Sequence, residues 1–335
     1  MEKIIKLIFL AVAVFVTFLF FLASRSSKTY DDQLKLIGFP NKTEQSVIPN
    51  AKMKVTFLGV TTLLFDDGET RWMTDGFFSR PGRTAVLFKK IESDKEVVAI
   101  ALKKLGVTSL DAVIPIHSHY DHALDASEVA MRTGATLIGS PSTANIGRGN
   151  GLTEKQIRTV QPGDVARLGK FKITFISAVH SPHGLFEGEI SEPIQVPTRS
   201  KDYKMGECYS LLLEHSGNAL LIHGSAGFIP NSLDQVKADV IYLGIGTLGM
   251  QSKFYKEEYW KHVVTAVGAK RVITVHWDDF FKPLDAPLTP QKWPIDSFDD
   301  SLDFLISEGI KNKVDVRIPI QWETADPFYN LGNTK

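Results

Sequence analysis

The stretch "VIPIHSHYDHALD" sets His117, His119, Asp121 and His122 almost side by side, in a chain with 9 histidines in all. Imidazoles crowded beside a carboxylate add nothing to an apolar core, but they make good ligands for a divalent metal. On extended chain His117 and His119, two apart, point the same way. Asp121 and His122 follow as the chain turns into a helix, so they can face a neighbouring point. This spacing describes two adjacent half-sites, one rich in histidine and one combining Asp with His. Such a pair of half-sites could hold divalent metal at two neighbouring points.

The cluster needs a frame, and the sequence around it supplies one. "DAVIPI", Asp111 to Ile116, reads as a short strand buried on both faces, and ligands in open α/β sheets gather beyond the carboxyl ends of strands. "KVTFLGVTTLLFDDGETRWMTD" reads as two alternating strands around Asp66-Asp67-Gly68. Ser93 with Glu96, and Asp125 with Glu128, stand in capping-box spacing and predict helices stopped by Gly106 and Gly134. Hairpins are expected at Gly169-Lys170 and at Gly217-Asn218. "DVIYLGI" and "RVITVHW" read as buried strands separated by the helix "EEYWKHVVTAVGA", and the helix "SFDDSLDFLISEG" precedes a last strand "VDVRIPI". Strand blocks alternating with helices predict two mixed sheets with helices packed outside.

"HSHYDH" resembles the H-x-H-x-D-H motif of the metallo-β-lactamase fold hydrolases, and the resemblance extends over most of Lys52 to Ile320. It implies an α/β (α+β) fold, a four-layer αββα sandwich, and a zinc cofactor of one or two ions. It implies His180 in "FISAVHSPHG" as the third histidine, with His183 as a rival, and His276 in "VITVHW" as the closing ligand. His117, His119 and His180 would form one metal half-site. Asp121, His122 and His276 would form the other, with Asp121 and His276 also serving catalysis. "WMTDGFFSR", with Asp75 near the site, and "VHWDDFF" look most like the branch containing the N-acylphosphatidylethanolamine-hydrolysing phospholipase D.

The pattern breaks at one place. Where the family carries a bridging aspartate, "LLIHGSAGF" has Ser225, and a neutral hydroxyl is a poor ligand for divalent ions. "HGSAG" also resembles the G-x-S-x-G elbow, but His223 stands at the first glycine position and no strand-to-helix elbow is evident. Three functions follow as expectations: hydrolysis of phosphodiesters or other lipid-like anionic esters, hydrolysis of lactones, lactams or thioesters, and a non-catalytic metal-binding envelope protein. His215 and His262 read as surface or packing residues. His223 reads equally as a core histidine or as support for the site.

Composition bounds the rest. With 335 residues, 43% hydrophobic and 23% charged, the chain has material for one large α/β domain or two small ones. Lys plus Arg equals Asp plus Glu at 38 each, so no bulk field favours nucleic acid as a partner. The single cysteine, Cys208, excludes an intrachain disulfide and a cysteine-rich zinc site. The uncharged run Leu7 to Ala23, flanked by Lys3, Lys6, Arg25 and Lys28, compares with the roughly 17–25 residues of a spanning helix. The expectation is a signal anchor over 1–25, a polar tether over 26–51 and a hydrolase domain over 52–335. A small-molecule or lipid ester would be the substrate, and the membrane a partner through an exported, membrane-anchored arrangement.

Overall fold

The computed structural model describes residues 30–45, 51–182 and 184–331. One sheet has eight strands, in the order Gly38–Phe39, Asp315–Pro319, Arg271–Val275, Val240–Gly244, Asn218–His223, Cys208–His215, Phe171–Ala178 and Val165–Leu168. A second has seven, Thr324–Ala325, Lys54–Phe57, Leu63–Asp66, Arg71–Thr74, Ala112–Ile114, Thr136–Gly139 and Ile157–Thr159, and a small two-stranded sheet pairs Lys90–Ile91 with Thr198–Arg199. Each large sheet joins antiparallel hairpins to a parallel half. Arg71–Thr74 runs parallel to Ala112–Ile114 in one, and Val240–Gly244 parallel to Arg271–Val275 in the other.

The strand before the histidine cluster shows why the layers stack as they do. Ala112 and Ile114 join the core between the sheets, where Phe57, Phe65 and Trp72 meet Phe175, Leu211 and Ile222. Val113, on the opposite face, packs with Val98 and Leu102 of the helix Lys95–Lys104 and with Val129 of the helix Ala126–Thr133. Alternation along the strand thus fills two apolar layers at once. Phe65 stacks on Trp72 at 4.3 Å between ring centroids, and Trp72 meets Phe171 of the other sheet edge-on at 6.1 Å. Trp260 and Val263, with Leu302 and Leu305 of the helix Phe298–Asn312, join the inter-sheet cluster from the far side. The result is a mixed α/β sandwich of helix, sheet, sheet and helix.

Several local expectations are corrected. The segment from Lys52 to Asp75 forms three strands rather than two, because the chain turns at Gly59–Thr62 as well as at Asp67–Thr70. Asp94, not Ser93, caps the helix that follows, accepting from the N–H groups of Glu96 and Val97 at 3.1 Å each. Ser93 donates its hydroxyl to Asp125 instead. Asp125 makes no cap either, since it accepts from the N–H groups of Phe78 and Ser79 at 2.8 and 2.7 Å. A fully buried carboxylate needs several donors, and this clasp supplies them while tying the loop after Arg71–Thr74 to the histidine segment.

The expected tether is partly folded. Tyr30–Ile37 is a helix whose Tyr30 packs against Trp277 at 5.0 Å, and Gly38–Phe39 pairs with Asp315–Pro319 at the sheet edge. The expected transmembrane signal anchor, and the membrane-anchored, exported localisation drawn from it, are corrected as well. Among the described residues no helix is long and apolar enough to cross a membrane. The run Leu7 to Ala23 lies outside those residues.

Candidate metal centre

The segment from Pro115 to His119 bends after the strand Ala112–Ile114 and is held in place by its backbone. Ile116 donates to Asp75 Oδ1 at 2.9 Å and accepts from Tyr209 N–H at 3.0 Å, while Ser118 donates to the Met205 carbonyl at 2.9 Å. His119 then starts the short helix Tyr120–Ala123, which carries Asp121 and His122. His180 follows the strand Phe171–Ala178, and His276 follows Arg271–Val275 in a left-handed conformation with φ 56°. Two glycines clear space for these rings. A Cβ on Gly184 would lie 2.6 Å from His180 Nδ1, and one on Gly246 would lie 2.9 Å from His276 Nδ1.

The fold brings six of the expected residues into two groups. In each, His117 with His119 and His180, and Asp121 with His122 and His276, the ligand atoms lie within 4.8 Å of one another. His117 Nε2 and His119 Nδ1 are 3.0 Å apart. His276 Nε2 lies 3.2 Å from His122 Nε2 and 3.3 Å from Asp121 Oδ2. The rings of His117 and His122 stand 4.0 Å apart between centroids, so the groups adjoin. His183 lies outside the described residues.

Protonation follows from burial. Desolvation, reinforced by the neighbouring imidazoles, pushes His117 well below the usual histidine range. Burial also lowers His119, and it lowers His180 to about 4 with help from His119. These rings therefore keep neutral lone pairs at neutral pH. His122 behaves oppositely. Burial disfavours its charge, yet Asp75 and Asp121 outweigh that and raise its pKa. Burial would push the Asp121 carboxyl up, but His122 and His276 hold it well below the carboxylate range.

The Asp75 Oδ2 contact to His122 Nδ1 at 2.8 Å fixes a proton on that nitrogen and turns Nε2 towards the group. Imidazoles of this kind with one carboxylate, and no thiolate, suit a divalent ion of the zinc type. The donor set fits. Cys208 is buried and its thiol is pushed up to about 12 by that burial.

Ser225 stands at the edge of the centre, and its Oγ accepts from Ser181 N–H at 2.9 Å. It therefore braces the loop that carries His180. His223 is a satisfied core residue, with Nδ1 2.7 Å from Ser210 Oγ and Nε2 2.7 Å from the Gly227 carbonyl. His215 is buried against Phe171 and lies 3.0 Å from Asp67, and His262 stacks on Phe228. Both fill packing roles.

A cleft of about 1050 Å³ opens over the centre, and His119, Asp121, His180, Ser225 and His276 form part of its wall. Sequence reasoning missed other residues there. Asp278 lines the cleft and pairs with Arg80 at 2.7 Å behind it. Asp296 also lines it, its carboxyl pushed up to about 6 by burial. The repeated Asp of "VHWDDFF" was the only sequence signal for the first, and nothing local marked the second.

Fold and site together define a metal-dependent hydrolase. The beta-lactamase superfamily domain matches residues 92–277, more than half of the chain, and the chain belongs to that superfamily. It is similar to a UPF0173 metal-dependent hydrolase of Rubrobacter xylanophilus, 24% identical over 204 residues, which are 60% of this chain and 76% of the relative. It is similar to another of Staphylococcus saprophyticus, 24% identical over 238 residues, which are 68% and 87% of the two chains. Among solved structures, Igni18, a metallo hydrolase from Ignicoccus hospitalis, aligns with a TM-score of 0.53 at 17% identity, covering 82% of this chain and 97% of its own. CmlA, a diiron beta-hydroxylase from Streptomyces venezuelae, aligns with a TM-score of 0.51 at 10% identity, covering 81% and 53%. At those identities the two structures speak for the fold.

Proposed function

We propose that the protein is a zinc-dependent hydrolase of anionic esters, phosphodiesters first among them. The observation that carries this reading is the charge of the centre. Asp121 is the one carboxylate in the two groups of ligands, and the neutral Ser225 is already engaged by Ser181 N–H. A floor with so little negative charge favours an anionic reacting group over a neutral lactone, lactam or thioester.

His117, His119 and His180 would hold one ion, and Asp121, His122 and His276 a second. Bound zinc would supply a water acidic enough to lose its proton near neutral pH, and a Lewis acid for the ester. If the second ion is absent, Asp121 and His276 orient the attacking water and carry a proton to the leaving group. Asp75 keeps His122 in the tautomer that serves either arrangement. The likeness of "WMTDGFFSR" and "VHWDDFF" to the phospholipase D branch supports lipid-like esters within this class.

The test is metal content of chelator-free protein together with turnover of bis-p-nitrophenyl phosphate, a simple lactone and nitrocefin. Zinc at one or two equivalents with turnover of the phosphodiester is expected. Turnover of the lactone or nitrocefin alone would overturn the phosphodiester assignment, and no turnover at full metal loading would overturn the hydrolytic one.

A further inference from the structure

The cleft has a second chemical feature besides the metal centre. Arg83, Arg199 and Lys201 line it too, and all come from one structural unit. Arg83 opens the helix Arg83–Phe88. Arg199 pairs with Lys90 in the two-stranded sheet that follows that helix, and Lys201 lies in the 3-10 turn Ser200–Asp202 next to it. Ser200, buried between the two cations, donates its hydroxyl to the Val86 carbonyl at 2.8 Å and fixes the turn to the helix.

Arg83 is held in place before any ligand arrives. Its Nη2 donates to Asp279 Oδ2 at 3.1 Å and to Gln291 Oε1 at 2.9 Å, and its guanidinium lies 5.2 Å over the Phe281 ring. These hydrogen bonds use Nη2 alone, and the side chain stays 48% exposed. Arg199 and Lys201 are exposed and form no ion pair among the described residues. The one carboxylate in their turn, Asp202, accepts from Thr198 Oγ1 and from Arg199 N–H rather than from either cationic side chain.

Apolar wall accompanies these cations. Leu87, Leu185, Phe186, Phe280 and Phe281 line the same cleft. Leu87 and Leu185 remain 66% and 70% exposed, and apolar surface gathered in one cleft, unlike single exposed leucines, marks a ligand-binding groove. The volume, about 1050 Å³, is at the upper end of the roughly 300–1,000 Å³ typical of small-molecule sites. An ester function alone does not fill it.

We propose that Arg83, Arg199 and Lys201 form an anion-binding position at the cleft mouth, so that preferred substrates are amphiphilic anions. In these an apolar stretch separates the bond that is cleaved from a terminal carboxylate, phosphate or sulfate. The proposal rests on the reading that cleavage occurs at the histidine centre. Arg83 supplies a fixed, stacked guanidinium, Arg199 and Lys201 supply exposed cationic side chains, and the leucines and phenylalanines cover the stretch between.

The experiment compares p-nitrophenyl octanoate with the p-nitrophenyl monoester of octanedioic acid on the metal-loaded full chain. The two share a leaving group and chain length and differ only in the terminal carboxylate. The carboxylate ester is expected to show a kcat/KM about tenfold higher, expressed in KM and reduced by salt. In the Arg199→Ala, Lys201→Ala double variant the ratio between the esters should fall to near one. A ratio near one in the unaltered protein, or a ratio the double variant leaves unchanged, overturns the proposal. Calorimetric binding of octanedioate and octanoate separates this position from the hydrolytic reading. Tighter octanedioate binding that disappears in the double variant, with neither ester nor bis-p-nitrophenyl phosphate cleaved, keeps the anion position and sinks the hydrolase. Equal binding of the two acids sinks the anion position.

Discussion

Arg80 and Asp278 meet at 2.7 Å, Nη2 to Oδ2, with both side chains fully buried. The other Asp278 oxygen accepts from Val60 N–H at 2.8 Å, and the Val60 carbonyl accepts from His276 N–H at 2.8 Å. Val60, Arg80 and His276 all take positive φ, at 49°, 45° and 56°, a conformation that side-chain-bearing residues hold only when their surroundings impose it. A Cβ on Gly59 would lie 1.9 Å from Arg80 Nη2, so glycine is required for the pair to close. The ion pair is a clasp on the turn that presents His276.

Asp278→Ala breaks that clasp and leaves a buried guanidinium unpaired. Removing one partner of a buried ion pair costs about 3–5 kcal/mol. Chemical unfolding should show a loss of that order. Metal titration of the variant should show the second equivalent weakened before the first, because the Val60 carbonyl held by the clasp accepts from His276 N–H. Wild-type stability with unchanged titration would mean the pair is not a clasp.

His119→Ala should lose bound metal and hydrolysis together. Its Nδ1 lies 3.0 Å from His117 Nε2, so both face one point. Metal analysis of purified variant decides the matter. Full metal content at the wild-type rate would remove His119 from the centre.

His180→Ala is expected to lose more metal than His183→Ala. The ring of His180 stands 5.1 Å from that of His117 and 4.9 Å from that of His119, between centroids. Paired measurement of metal stoichiometry gives the order, and the reverse order would reassign the third ligand.

His223 makes stability fall in mild acid. Burial lowers its pKa to about 4, while the unfolded chain titrates near the ordinary value of 6.5. Between those values the unfolded state binds the extra proton, so stability is full above pH 6.5 and drains away as pH falls towards 4. From pH 7 to pH 5 this single group should account for about 2 kcal/mol. Urea unfolding of wild type and His223→Gln at both pH values tests it. The variant should be weaker at pH 7 and less sensitive to the change, and identical pH slopes would count against the assignment.

The contiguous histidine cluster was legible in sequence because its spacing is local and the strand before it is uniformly apolar. The hairpins at Gly169 and Gly217 were legible for the same reason. What sequence could not show depends on partners far along the chain. Ser93 and Asp125 look like caps locally, but each satisfies the other across the fold. Arg80 and Asp278 look like ordinary surface charge until the turns at Val60 and His276 come together. Tyr30 carries no periodic signal, yet Trp277 and Phe298 hold it in the core. A buried carboxylate's need for donors decided the first two cases, and aromatic packing the third.

Ser225→Asp should tighten binding of the second ion and weaken binding of phosphate. Ser225 follows the strand Asn218–His223 at the edge of both ligand groups, where the family resemblance sets a bridging carboxylate. Its Oγ accepts from Ser181 N–H, and a carboxylate could keep that bond with one oxygen and offer the other to the centre. With two divalent ions bound, Asp121 alone offsets their charge among the six grouped ligands. The serine thus leaves the centre about one unit more positive than an aspartate would. Unit charges 4 Å apart interact by about 4 kcal/mol at an effective dielectric near 20, so one unit is enough to decide between an anionic ester and a neutral one. An anionic group could also bridge the ions where the carboxylate is missing. Metal stoichiometry and inhibition by inorganic phosphate, measured on wild type and variant, read the two effects separately. If neither changes, Ser225 only braces the loop of His180, and the charge argument for an anionic substrate falls with it.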